Sequence, residues 1–483
     1  MSNGARPERA SSRLPARTIV TYAIGSVGTG GYATLPGLVL TYYLTDNLGV
    51  AALAAGLIVT AAKVWDVIID PLIGAASDRQ VARTGSRRGF MVIGALTLPV
   101  FFASTFAVPP SWGPAASAIS VLLAFLGTAT AFSLFQVPYV ALPAELTGGY
   151  DERTRLLGWR VVVLTAAILL FGAGGPMLRR ATGEQVSGYL LMGVVAGVAI
   201  GVGMLIASRT AHSAVRRIDE PSPAVDGPRG LRAEYLSGFR ALRRSAPFRA
   251  LLGTFVLQAL ATGTMLAGAQ YVARWVLGDE AAVEILFVAL VGPALIATPA
   301  WTAISKRVGK ERAFLGASTL FLLASASITL AVWEPGAWLY AAVAVAGVAY
   351  AGLQSLPMAM LPDVISHDAR MSDSGGDPST RGRSGTFTGI WTAGETVGFA
   401  LGATAVSVVL AATGYVSTVA GTETASTIET ASTIETVQPD AAVTGIVLSF
   451  SILPAVLMAL SILPLSRYRL RRSDIDAMPE HAA

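Results

Sequence analysis

AKVWDVIIDPLIGAASDR, Ala62 to Arg79, is an apolar stretch with helical periodicity that nonetheless carries Lys63, Asp66 and Asp70. At about 100° per residue, offsets of three and seven place these three charges on one stripe of a single helix. They can share a partner or a solvent-filled space. What surrounds that helix decides which.

The surroundings are a membrane. Of 483 residues, 53% are hydrophobic and 13% charged, against roughly 25% charged in soluble domains. Apolar runs of near 20 residues, enough to cross a hydrocarbon core of about 30 Å as helix, recur from Thr18 to Leu465. The expected fold is all-α with twelve spans: 18–44, 50–76, 90–108, 116–143, 160–178, 186–207, 250–275, 281–303, 313–333, 337–361, 385–412 and 441–465. The first thirteen residues lack the apolar core of a cleavable signal peptide, so the first span is expected to stay as an anchor.

Basic charge reports topology. Of 35 Lys and Arg, 31 fall in the N-terminus, the even-numbered loops and the C-terminus, counting Arg160 at the edge of the fourth loop. Arg179, Arg180 and Arg274 lie in odd-numbered loops, and Lys63 lies within a span. Positive residues stay on the cytoplasmic side, which puts both termini inside a cell inner (plasma) membrane protein. The net charge of +5 therefore implies no nucleic-acid partner. The lipid bilayer and a small-molecule substrate are the expected partners, and a monomer is the expected working unit.

Enzymatic chemistry is not encoded. There is no cysteine, and His212, His367 and His481 all fall in loops or the tail, so no helix offers two ligands at metal spacing. No nucleophile and base pair or phosphate loop stands out, and no cofactor is expected beyond a coupling ion, H+ or Na+.

Residues 208–249, charged and proline-rich, read as a cytoplasmic linker between two six-helix units, 18–207 and 250–465; 1–17 and 466–483 read as cytoplasmic ends. The units echo each other. Pro138, Pro143 and Glu145 correspond to Pro357, Pro362 and Asp363, with an offset of 219 between the prolines. Phe90 after span two corresponds to Phe314 after span eight, an offset of 224. Two pairs at nearly one offset indicate duplication. The loop 413–440 contains TASTIE twice, at 424–429 and 430–435, and reads as an external expansion without function.

Charge inside a membrane costs about 2.5–3.5 kcal/mol and is functional by default. Neighbouring Asp66 and Asp70 resist ionising together, which suits a proton acceptor or a bound cation; the alternative is a structural salt bridge to Lys63. One lysine cannot neutralise two acids.

WDVIIDPLIGAASDR at Trp65 also resembles a helix-two signature of the glycoside-pentoside-hexuronide cation symporters, the melibiose-permease-like branch of the major facilitator superfamily. YAIGSVG at Tyr22, TYYLTDNLG at Thr41, VPYVALPAEL at Val137, YDERTRLLGWR at Tyr150, RSGTFTGIWTAGETVGFALG at Arg383 and RYRLRRSDID near the end follow in the family's order. The resemblance implies cation-coupled symport of a glycoside or related sugar derivative by alternating access, with two six-helix bundles and a central site. It implies a cation site of Asp66, Asp70 and Ser133, and a cavity position at Arg160. A proton-coupled exporter and a lysolipid-like carrier are alternatives of the same fold.

Four positions depart from the family pattern. Ile69 replaces an asparagine beside the second aspartate, which removes a sodium ligand and favours a proton. Gly30 and Gln136 stand where relatives carry sugar-gripping aspartates, and Glu395 where lysine is common; Glu395 reads as a protonated glutamate bonded to a neighbouring helix, as a second proton site, or as a counter-ion for Arg160 or for a cationic substrate group. Arg160, whose fork matches carboxylate or sulfonate, is left to pair with an anionic substrate group or with Glu395. Thr388, Trp391 and Glu395 form a further stripe, and Tyr22, Ser26, Thr29, Gln258, Thr262, Tyr350 and Gln354 are polar positions on helix faces available to substrate. Gly25, Gly28, Gly30 and Gly31 are better explained by close helix packing than by phosphate binding, because no strand precedes them. Asp78, Arg79, Arg87 and Arg88, with Lys306, Arg307, Lys310 and Arg312, resemble the loop charges that clasp facilitator halves as gates; Lys63 joins the gating candidates.

Overall fold

The computed structural model describes residues 13–147, 150–182, 185–211, 245–373, 384–419, 437–468 and 470. The linker 212–244, most of both terminal segments and the TASTIE repeat lie outside the described residues. Everything described is helix or short connection apart from one isolated antiparallel bridge, Leu48 to Val419.

Among the described residues, fourteen helices make the spans. The first span is broken into α1 (Ala16–Ile24) and α2 (Ser26–Asp46) at Gly25. Then follow α3 (Ala52–Thr84), α4 (Arg88–Thr105), α5 (Gly113–Leu146), α6 (Tyr150–Arg180) and α7 (Gln185–Ser208). The second half comprises α8 (Ala246–Tyr271), α9 (Ala282–Val308), α10 (Lys310–Ser327), α11 (Trp338–Asp373) and α12 (Ser384–Ala412). The last span is split at Ser451 into α13 (Asp440–Phe450) and α14 (Ile452–Ser466).

Local chemistry sets several ends. Ser245 caps α8 by accepting from the Phe248 N–H, with Pro247 in the first turn where a missing donor costs nothing. Gly85 closes α3 with φ of 71°, a left-handed C-cap that suits glycine. Among the described residues, eleven helical stretches are long and apolar enough to cross a membrane. The α1–α2 span is not among them, because its course is interrupted and α2 is rich in Gly, Thr and Tyr. The structure explains that composition: 17 of the 21 residues of α2 are buried, so it faces protein rather than lipid. Its counterpart α8 is likewise enclosed, whereas Ile296, Leu170 and Leu123 project from the bundle as a lipid-facing surface does.

Close helix contacts use glycine. A Cβ on Gly402 of α12 would lie 2.5 Å from the backbone of Gly263 on α8, so the two backbones meet directly. Contacts between the halves gather at the face opposite the termini, here the far face. There α3 packs on α12, α6 on α9 and α2 on α8.

Candidate cation and substrate site

The charges of the opening stretch lie midway along α3. Lys63 Nζ is 3.1 Å from Asp66 Oδ2 and 3.9 Å from the centre of the Tyr32 ring, whose hydroxyl donates to the same Asp66 oxygen at 3.3 Å. Tyr32 stacks on Phe132 of α5 at 4.1 Å. The salt bridge considered from sequence is thus present, and it accounts for one acid. Lys63 is an interior residue here and not part of a loop clasp. Asp70, one turn on, faces the Ser133 hydroxyl of α5 and lies within electrostatic reach of Asp66 and Lys63. Asp66 Oδ1 and Asp70 Oδ1 are buried without a hydrogen-bond partner.

Beside them the first half supplies polar and aromatic groups from α1, α2, α5 and α6. Thr29 donates to Gln136 Oε1 at 2.8 Å. Tyr22 stacks on Tyr139 at 4.6 Å, and Tyr139 donates to the Tyr22 carbonyl and contacts Ser26 Oγ. The Arg160 guanidinium lies 5.4 Å above the Tyr139 ring, with Nε buried and unpartnered. Arg160 and Glu395 form no ion pair in this structure. Gly30 is a packing position: a Cβ there would lie 2.8 Å from Ala167 Cβ and 3.1 Å from the Leu164 carbonyl. That spacing leaves no room for the aspartate relatives carry.

In the second half, Gln258 and Thr262 of α8 meet Tyr350 and Gln354 of α11 in one pocket, completed by Phe255 and Phe399. Trp391 stacks on Phe255 at 4.2 Å and is buried with its Nε1 unpartnered. Glu395 has no hydrogen-bond or ion-pair partner among the described residues, and the Thr388 side chain lies outside them. Tyr22 OH, Asp66 Oδ1, Asp70 Oδ1, Arg160 Nε, Gln258 Oε1 and Trp391 Nε1 are therefore six orphaned polar atoms at positions singled out from sequence. Native interiors leave few such atoms, although Asn47, Gln270 and Tyr189 near the far face carry others.

Sequence reasoning missed Tyr32, Tyr139, Phe255 and Phe399. Tyr32 was legible, because it continues the Ser26 and Thr29 face by one more helical step. The two phenylalanines carry no polar signal in a chain where apolar residues are the background.

The loop charges pair within each half. Arg87 holds Asp78 at 2.7 Å, Glu145 at 2.6 Å and Ser77 at 3.0 Å. Burial alone would lower the Arg87 pKa, but Glu145 and Asp78 outweigh it and keep the guanidinium above its ordinary value. Lys310 holds Asp363 at 2.6 Å. Arg79 bonds back to the Ala75 carbonyl, and Arg88, Lys306 and Arg307 are exposed. The far face carries the bonds that cross between halves: Asp46 with Tyr415, Thr45 with Tyr271, Arg179 with Glu280 at 2.8 Å, and Arg180 with Glu284.

No described cluster of three or more His, Cys, Asp or Glu is arranged for a metal. The family of MFS/sugar transport proteins matches residues 21–472. An uncharacterized symporter of Synechocystis is 25% identical, covering 92% of each chain. A protein of Salmonella typhimurium named as a sulfoquinovose importer is 26% identical over 85% of this chain and 84% of its own. Among solved structures, a bacterial homologue of the iron transporter ferroportin superposes with a TM-score of 0.61 at 12% identity, covering 94% of this chain and 97% of its own, which speaks to the fold. The chain belongs to the MFS/sugar transport family, in its glycoside-pentoside-hexuronide symporter branch, and is a multi-pass membrane transporter rather than an enzyme.

Proposed function

We propose that this cation-coupled symporter of sugar derivatives binds its coupling ion at Asp66, Asp70 and Ser133, and that the ion is a proton. The observation that carries this reading is the pair of orphaned carboxylate oxygens, Asp66 Oδ1 and Asp70 Oδ1, one turn apart inside the bundle, with a single ammonium, that of Lys63, paired with Asp66. Lys63 is spent on Asp66, so Asp70 has no countercharge of its own. A proton needs one carboxylate, whereas sodium needs several oxygens at close range, and Ile69 contributes none.

The solute binds between the halves, with Gln136 and Arg160 on one side and Gln258, Gln354, Trp391 and Glu395 on the other. Arg160, resting on Tyr139 and lacking a carboxylate partner among the described residues, takes an anionic or polyhydroxylated group of the solute. The basic side of the chain is cytoplasmic in the inner membrane, the protein acts as a monomer, and the far face is external. The far-face contacts then belong to an inward-facing state, and Arg87 and Lys310 belong to a cytoplasmic clasp that is open. Coupling arises because cation and solute together favour reorientation, while a lone charged site resists it.

Uptake of a radiolabelled hexuronate into sodium-free vesicles tests this. An imposed inward pH gradient should drive accumulation, and Asp70→Asn should abolish it while leaving exchange intact. Strict dependence on added sodium would overturn the ion assignment.

A further inference from the structure

The second-half pocket has a lopsided hydrogen-bond inventory. Gln258 Nε2 donates to Ser318 Oγ at 2.9 Å and to Ser461 Oγ at 3.3 Å. Both serine hydroxyls already donate elsewhere, Ser318 to the Phe314 carbonyl and Ser461 to the Met458 carbonyl. With both hydroxyl protons on those carbonyls, the amide nitrogen is the end of Gln258 that faces the two serines. Gln258 Oε1 is left buried and unpartnered in a residue only 2% exposed that lines the pocket. Thr262 spends its proton on backbone carbonyls, and Gln354 donates to Tyr350. What remains is the Gln258 oxygen as an acceptor together with the unspent Tyr350 hydroxyl proton, framed by the rings of Phe255, Tyr350 and Phe399.

Glu395 adds a charge. It lies beside the pocket rather than in its lining, one turn before the lining residue Phe399 on α12, on the stripe that also carries Trp391. No lysine or arginine occurs within spans eight to twelve, and span seven has only Arg274 at its far end. In the first half Lys63 is committed to Asp66, and Arg160 does not reach Glu395. A half-buried carboxylate without a countercharge is costly, and none pairs with it among the described residues.

We infer that this pocket is a cation subsite and that the solute carries a protonated amine, which seats on Glu395 and Gln258 Oε1 against the aromatic rings. An ammonium is donor-only and is attracted to ring faces, so it matches the Glu395 carboxylate, the Gln258 oxygen and the aromatic rings; a neutral hydroxyl satisfies the acceptors and leaves the charge. The inference rests on the transport reading above and adds to it the chemistry of one substrate group. With Arg160 holding an acid on the opposite side, the matched solute class is an amino sugar acid or a related zwitterionic sugar derivative.

Binding to the purified full-length protein, followed by calorimetry, compares methyl glucoside, glucosamine, glucuronate and 2-amino-2-deoxyglucuronate. Each amine probe should bind at least about tenfold more tightly than its amine-free match. Glu395→Gln should erase that gain, and Glu395→Asp should retain part of it. Gln258→Leu, which keeps the carboxylate, should lower amine binding severalfold. Equal binding of amine and amine-free probes, or a gain that survives in Glu395→Gln, overturns the inference. A Glu395→Gln variant that keeps the gain but moves fewer protons per solute overturns it too, in favour of a second proton site. The two readings fail separately: if glucuronate binds and the amine adds nothing, the transport reading stands and the inference falls. If none of the four binds a folded protein, both fall.

Discussion

Tyr415 donates its hydroxyl to Asp46 Oδ1 at 2.5 Å, joining the loop after α12 to the end of α2 across the two halves. Trp275 in turn donates to Tyr415, and Thr418 N–H bonds to the Thr45 carbonyl at 2.9 Å. Alongside them Leu48 and Val419 form an antiparallel bridge. Bridged residues have Cα atoms roughly 4.5–5.5 Å apart, within disulfide reach. The chain has no native cysteine, so Leu48→Cys with Val419→Cys should crosslink on oxidation and stop transport, and reduction should restore it. Full transport by the crosslinked protein would mean that this face never opens.

A bulkier residue should act oppositely. Gly56 on α3 faces α12, where a Cβ would lie 2.5 Å from Ser407 Oγ and 2.9 Å from Thr404 Cα. Gly56→Val should destabilise far-face closure by about 1–3 kcal/mol, a usual cost of overpacking. Leu48, wholly buried in this state, is the reporter: a cysteine there should become reactive to an impermeant maleimide only in the Gly56→Val background. Unchanged labelling would show that α3 and α12 can part without opening the face.

The spans were legible because hydropathy alone decides them, and the breaks at Gly25 and Ser451 were not, because glycine and serine also occur in unbroken spans. The α3 acids Asp66 and Asp70 were legible because charge is rare within a membrane and therefore conspicuous. Gln258, Thr262, Tyr350 and Gln354 were readable as polar faces of two spans, yet that they meet in one pocket depends on how α8 packs on α11. Lys63 shows the converse limit. Sequence placed it on the right stripe but could not choose between a gate and Asp66, since that choice turns on a rotamer and on Tyr32. The far-face network escaped notice because its members, Asp46, Glu280, Arg179 and Tyr415, lie in connections and helix ends where charge is unremarkable.

Ligand count separates the two candidate ions. In Ile69→Asn an amide oxygen would sit beside Asp70, and the variant should gain sodium stimulation of uptake that the parent lacks. Asp66→Asn should also lose accumulation against a gradient, and it should loosen Lys63, which pairs with Asp66 at 3.1 Å. If both aspartate variants concentrate solute normally, the ion binds elsewhere.

The duplicated loops predict unequal costs. Arg87 with Glu145 in the first half and Lys310 with Asp363 in the second are related by offsets of 223 and 218, close to the repeat read from sequence. Their surroundings differ: the Arg87 and Glu145 side chains are 13% and 19% exposed, whereas Lys310 is 40% exposed. Exposed pairs contribute about 0–1 kcal/mol, while removing one partner of a buried pair can cost about 3–5 kcal/mol. Arg87 is intermediate, because Asp78 stays beside it. Glu145→Gln should therefore lower stability by about 1–3 kcal/mol and Asp363→Asn by under about 1 kcal/mol, read from thermal unfolding of the purified protein. A double-mutant cycle with Arg87→Met isolates the pair: coupling near zero would mean that Asp78 and Ser77 alone hold the guanidinium, and that the repeated acid at the end of α5 serves only the opposite state, when the halves close on the termini side.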